Sequence, residues 1–199
     1  VVYGVAGTVQ SPVGFTFSAG ASIDNFGVTE LGSVNFNGEA DITNYKGAEL
    51  NFRSSFALRS AGSSLVNNGI FRAISNFDSA SGTTFENNGY GYISGELAFE
   101  GESDNRGLLE ITTRVNVNPS AVFRNTCTLL SHGPYNVNGN YANDGLAFVY
   151  ADGGNIEFNV TSPGIVTQGP QGQVIVTSSD AATHQANLRV DGKLQGEGS

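Results

Sequence analysis

Three observations predict an all-β fold, a single-domain parallel β-helix with coils of about 20 residues. A short turn motif recurs at a nearly constant interval. Apolar-alternating segments fill each interval. The composition favours turns and strands over helices.

The turn motif comes first. The stretches "IDNFG", "TNYKG", "LVNNG", "FENNG", "SDNRG", "FRNTC" and "YANDG" end at Gly27, Gly47, Gly69, Gly89, Gly107, Cys127 and Gly145, at intervals of 20, 22, 20, 18, 20 and 18 residues. Two positions before six of these ends stand Asn25, Asn67, Asn87, Asn105, Asn125 and Asn143; the seventh has Tyr45, with Asn44 beside it. Self-similarity near this period marks a solenoid. Leucine-rich repeats share the period but need Leu at fixed slots, which this chain lacks. In stacked coils equivalent residues lie about 4.8 Å apart. A buried column of Asn then pairs amide to amide between coils, while Asn tolerates and Gly accepts a left-handed turn. Cys127 fills a glycine slot, as a small, partly buried residue.

A second set of segments lies half a coil away. "FTFSAG", "VNFNG", "ELAFEG", "VNVNP" and "YNVNG" end at Gly20, Gly38, Gly101, Pro119 and Gly139, Gly62 and Gly82 fit the same slot, and "IEFNV" returns at Ile156. Each interval therefore holds at least two short strands. The division that follows is an N-terminal strand or cap over 1–14, the β-helix over 15–165, and C-terminal strands with a tail over 166–199. The helix should have about eight to nine coils and a length of about 40 Å, wound right-handed as parallel crossovers usually are. The predicted core is Ile23, Phe36, Leu50, Phe52, Leu65, Phe85, Leu97, Phe99, Val115, Val117, Phe123, Val137 and Tyr141.

Composition narrows the function. The chain has 27 Gly, no Trp and no Met, and its net charge is −9. A nucleic acid or an anionic membrane needs a basic patch, so neither is an expected partner. No apolar run is long enough to span a bilayer as a helix. One cysteine excludes an internal disulfide framework. The start at Val1 suggests a processed chain whose signal peptide has been removed.

The "NNG" turns at 67–69 and 87–89, followed by "NVNPSAVFRN" and "YNVNGNYANDG", resemble β-helical secreted proteins: autotransporter passenger domains, filamentous adhesins and related extracellular fibre repeats. The resemblance covers roughly residues 15–160. It implies an extracellular or cell-surface rod and names no ligand.

Catalytic chemistry finds little footing. Carbohydrate-active β-helices need clustered carboxylates with a basic residue nearby. The densest acids here, Glu96, Glu100, Glu102 and Asp104, surround Gly95 and Gly101 and read as a solvated turn. His132 and His184 have no partners at metal-ligand spacing. No catalytic, cofactor or metal residue is expected, and a polysaccharide lyase or hydrolase is the third choice among functions. Tyr90 and Tyr92 lie two apart, so a strand points both to one side; exposed there, they suit a sugar ring or a partner subunit. Asn159 opens a glycosylation sequon, "NVT".

The ends are unusual. Of 27 charged residues, 22 lie between Asp24 and Glu157, and residues 1–23 and 158–179 contain none. A monomeric solenoid protects its first and last coils with caps, charge or proline. Here the edge segments are uncharged and β-prone. The first expectation is therefore a structural one: head-to-tail assembly of copies into a fibre, with Val1, Tyr3, Val5 and Val9 meeting Val174, Ile175 and Val176 of a neighbour. The alternative is an adhesin module that holds a glycan or a host protein on a side face near Tyr90 and Tyr92.

Overall fold

The computed structural model describes residues 2–5, 7–11, 15–152, 154–179 and 183–196. They form 28 strands, and no helix occurs among the described residues. The strands visit three faces in rotation.

The first face is a ten-stranded sheet of β1 (Val2–Val5), β4 (Ala21–Asn25), β7 (Ala40–Asn44), β10 (Ser64–Asn67), β13 (Thr84–Asn87), β16 (Glu102–Asn105), β19 (Val122–Asn125), β22 (Asn140–Asn143), β25 (Ile165–Gln168) and β28 (Lys193–Gly196). The second is a nine-stranded sheet of β2 (Thr8–Ser11), β5 (Val28–Leu31), β8 (Glu49–Phe52), β11 (Ile70–Ala73), β14 (Tyr90–Ile93), β17 (Leu108–Ile111), β20 (Thr128–Ser131), β23 (Leu146–Ala151) and β26 (Gln173–Ser178). The third runs through seven strands, β9 (Phe56–Leu58), β12 (Phe77–Ser79), β15 (Glu96–Phe99), β18 (Arg114–Val117), β21 (Tyr135–Val137), β24 (Ile156–Val160) and β27 (Ala186–Val190). At its N-terminal side a separate pair, β3 (Phe15–Ser18) and β6 (Val34–Asn37), continues this face. All three faces are thus continuous for about seven turns. Every pairing is parallel and joins strands three apart in order, as in Leu65 opposite Phe85 and Phe85 opposite Ser103.

The chain is thus a parallel β-solenoid with three strands per turn. Strands this short bury alternate residues, as the inward Leu65 and Asn67 of β10 do against the outward Ser64 and Val66. Equivalent inward positions stack, so aromatic rings form a spine. Phe56 and Phe77 have centroids 5.4 Å apart, Phe77 and Phe85 5.0 Å, Phe99 and Phe123 4.7 Å, and Phe123 and Tyr141 5.5 Å. Such contacts add to the area term that dominates the core. Twelve of the thirteen expected core residues are buried; Phe36 is only partly buried, packed between Phe17 and Phe56 near the N-terminal end.

The described parts of residues 1–14 build the first turn. β1 pairs with β4 and β2 with β5 of the same chain, which leaves one backbone edge of each unpaired. Beyond 165, β25 to β28 extend all three faces in register.

Candidate functional site

The Asn column is the backbone of the structure. Asn25 donates from Nδ2 to Oδ1 of Asn44 at 2.8 Å, and the same bond links Asn44 to Asn67, Asn67 to Asn87, Asn87 to Asn105, Asn105 to Asn125 and Asn125 to Asn143 at 2.7–2.8 Å. The second Nδ2 proton reaches a backbone carbonyl on the next turn, for example Ile70 O from Asn44, Tyr90 O from Asn67 and Leu108 O from Asn87. All seven side chains are buried. Every donor points toward the C-terminus, so the amide dipoles add head to tail.

Two expectations need correction here. Asn44, not Tyr45, occupies the seventh ladder seat, and Gly47 stands outside the turn column. Four residues separate Asn44 from Glu49, where two separate Asn67 from Ile70, so Ala48 takes the seat and passes its carbonyl to Ile70 N at 2.9 Å. Tyr45 turns outward and stacks on Phe26 at 4.1 Å. The reason for glycine also differs. Gly27, Gly69, Gly89, Gly107 and Gly145 have no positive φ. A Cβ there would meet the backbone of the turn below, 2.1 Å from Gly69 O in the case of Gly89. Close stacking, not turn conformation, selects glycine. Cys127 keeps its place in the column between Gly107 and Gly145, but it is exposed, not partly buried.

The four acids are divided between two faces. Glu102 and Asp104 lie on the first face and pair with Arg124, and Asp104 also pairs with Arg106 at 3.1 Å. Glu96 belongs to the third face, where Asn116 donates to it. A shallow groove of about 200 Å³ on that face is lined by Arg59, Asp78 and Glu100. Burial there pushes the Asp78 carboxyl up, Arg59 opposes the shift, and Glu96 and Glu100 add to it. His132 sits 3.1 Å from Glu110, while His184 contacts Thr183. Among the described residues no group of three or more His, Cys, Asp or Glu side chains is placed to hold a metal ion. No helix there is long and apolar enough to cross a membrane.

Asn159 is half-buried and bonds Asn136 at 3.2 Å, and Asn136 bonds Asn116 at 2.8 Å. This second, outer ladder was not legible as one in the sequence, because a polar residue between two inward apolar ones is the default of any half-buried strand.

Two surfaces remain. One is the C-terminal end. The inward columns run buried through the molecule and then emerge. Phe158 is 1% exposed, while Leu188 above it is 57% exposed. Val160 and Val166 are buried, while Val190 and Leu194 over them are 40% and 52% exposed. Val174 and Val176 continue the inward columns of Ala147 and Val149 and are half-buried, while Ile175 points outward. Among the described residues the outer backbone edges of β26, β27 and β28 are unpaired. At the other end Val9 is 39% exposed over buried Thr29. Val1 lies outside the described residues; Tyr3 and Val5 are placed by backbone, opposite Ile23 and Asn25.

The other surface is the second face. Tyr90 and Tyr92 both point outward there, half-buried, flanking inward Gly91. Tyr90 donates to Glu110 Oε2 at 2.9 Å. Its phenol is pushed up to about 12, by burial first and then by that bond to the carboxylate. No protein-family model, curated protein or solved structure matches the chain.

Proposed function

We propose that this protein is a structural subunit of an extracellular fibre, in which the C-terminal end of one copy receives the first coil of the next. The observation that carries this reading is the set of uncovered core columns at Leu188 and Val190. Exposed residues that continue a buried column are the surface an additional coil would cover, at about 25 cal/mol per Å² of apolar area removed from water. The unpaired edges of β26 and β27 offer main-chain groups to the same visitor. The N-terminal coil of a copy has the matching form: parallel strands on three faces with their outer edges unpaired. A head-to-tail contact of this kind does not close on itself and grows as a filament. Placement outside the cell is supported by the resemblance of the turns to secreted β-helical proteins.

Sedimentation velocity over a concentration series tests the proposal. The 1–199 chain should form assemblies that grow with concentration and persist at high salt, because apolar and main-chain contacts are little screened. Leu188→Lys, on the open end, should leave the strand spectrum intact and abolish growth. A wild-type chain that stays monomeric throughout overturns the reading and leaves the end to a further segment of polypeptide or to another partner. Growth unaffected by Leu188→Lys overturns it as well.

A further inference from the structure

The outer side of the second face changes character along the solenoid. Near the N-terminus it is charged: Glu30 pairs with Arg53, and Glu49 with Arg72. From β14 onward the same middle column reads Tyr92, Glu110, Leu130, Phe148, Ile175. The outer sides of the other two faces are more polar over the same turns, with Asp104 and Arg124 on the first beside Val122, and Asn116, Asn136 and Asn159 on the third. Within the apolar half a groove of about 260 Å³ is lined by Leu130, Ser131, His132, Phe148 and Tyr150. The Phe148 and Tyr150 rings lie 6.0 Å apart and nearly parallel, and the His132 ring meets Tyr150 edge-on at 6.1 Å. A polar chain borders the groove: Tyr90 donates to one oxygen of Glu110, and His132 lies 3.1 Å from the other.

We propose that this groove is a binding site for one unit of a neutral sugar chain, with Phe148 and Tyr150 as the ring contacts and Glu110 and His132 as hydrogen-bonding groups for its hydroxyls. The site is independent of assembly through the ends. Four features select this ligand class. The groove is smaller than the roughly 300–1,000 Å³ of sites that enclose a drug-sized molecule, which suits one ring. Flat aromatic surface matches the C–H face of a pyranose, and the adjoining carboxylate and imidazole match its hydroxyl edge. No Lys or Arg stands among the outward residues of β17, β20 and β23, so nothing there recognises a uronate or a sulfate. A peptide bound by strand addition has no edge to use, since β17, β20 and β23 are each paired on both sides.

Calorimetric titration of the 1–199 chain with cellohexaose, chitohexaose and laminarihexaose tests the site, with hexagalacturonate as the charged control. At least one neutral hexaose should bind saturably, and the charged one should not. Phe148→Ala and Tyr150→Ala should each weaken that binding about tenfold. Tyr150→Phe should retain most of it, and Ile74→Ala, at an exposed position beside β11, should change nothing. Circular dichroism checks that each variant keeps its strands. Absence of saturable binding to all three neutral hexaoses overturns the proposal. So does equal binding of hexagalacturonate, or full affinity in folded Phe148→Ala and Tyr150→Ala. If Phe148→Ala instead removes a lateral association between copies and no sugar binds, the groove is a self-contact and the proposal is wrong.

Discussion

Asn87 donates from Nδ2 to Oδ1 of Asn105 at 2.8 Å and accepts at its own Oδ1 from Asn67 at 2.7 Å. Each buried amide is therefore both donor and acceptor, and removing one strands two neighbours.

Asn87→Leu should cost on the order of 3 kcal/mol, because the Asn67 Nδ2, the Asn105 Oδ1 and the Leu108 carbonyl each lose a partner. Urea denaturation measures this. A change below about 1 kcal/mol contradicts a cooperative ladder.

The glycine column gives a contrast. Gly89→Ala places a Cβ 2.1 Å from Gly69 O, a backbone atom that cannot move aside, and should destabilise strongly. Gly47→Ala meets nothing within 4 Å, but φ is +85°, so its cost should be a conformational one of about 1 kcal/mol. Cys127→Gly restores the residue found in the neighbouring seats and should be neutral or stabilising. Thermal melts rank the three.

Asp78 sets an acid-side signature. Its carboxyl is pushed up by burial. The folded chain therefore holds the proton after the unfolded chain has released it, and this group's contribution to stability falls as pH rises from the unfolded value near 3.8 through the raised folded value. Asp78→Asn should remove that slope and raise stability at neutral pH relative to wild type. An unchanged slope contradicts the placement of Asp78 in its groove.

Tyr90 gives the alkaline counterpart. With its phenol pushed up to about 12, stability should decline as pH rises above 10, since the unfolded chain ionises first. Absorbance titration should show a phenolate step near 12 that Tyr90→Phe removes and Glu110→Gln moves down. If Tyr90→Phe leaves the late step intact, the bond to Glu110 does not control it.

The ends of the solenoid are stepped. The first sheet carries ten strands, with β28 one place beyond β26 and β27. A copy that brings β2 onto β26 and β3 onto β27 therefore brings β1 to the seat that β28 occupies. "VYGV" suits a strand better than "KLQG". Deleting residues 193–199 should shorten the lag of assembly in light-scattering traces. A longer lag would show that β28 supports the joint.

Much of this architecture was legible because stacking repeats its demands. An Asn at every turn and a near-constant interval are what a continuous amide ladder requires. Asn44 escaped the alignment because its turn carries two extra residues, which broke the count to Gly47. The strand that follows each Asn turn, such as Ile70–Ala73, was not set apart as a third one because only two residues separate it from the strand before, so the pair read as one segment. The glycine column was seen, but its cause is a contact between turns that no local pattern records. The second-face groove shows the same limit. Tyr90 and Tyr92 announced an outward pair, whereas Glu110, His132, Phe148 and Tyr150 join them only because three further turns bring them alongside.

The most direct test of the central claim is electron microscopy of the purified chain, with measurement of the axial repeat. The nine strands stacked on the second face, joined head to tail to the next copy at about 4.8 Å each, predict unbranched filaments one solenoid wide with a repeat of about 43 Å, absent in Leu188→Lys. Discrete rods that do not lengthen with concentration, or filaments whose repeat does not match one chain length along the axis, would contradict assembly through the open C-terminal end.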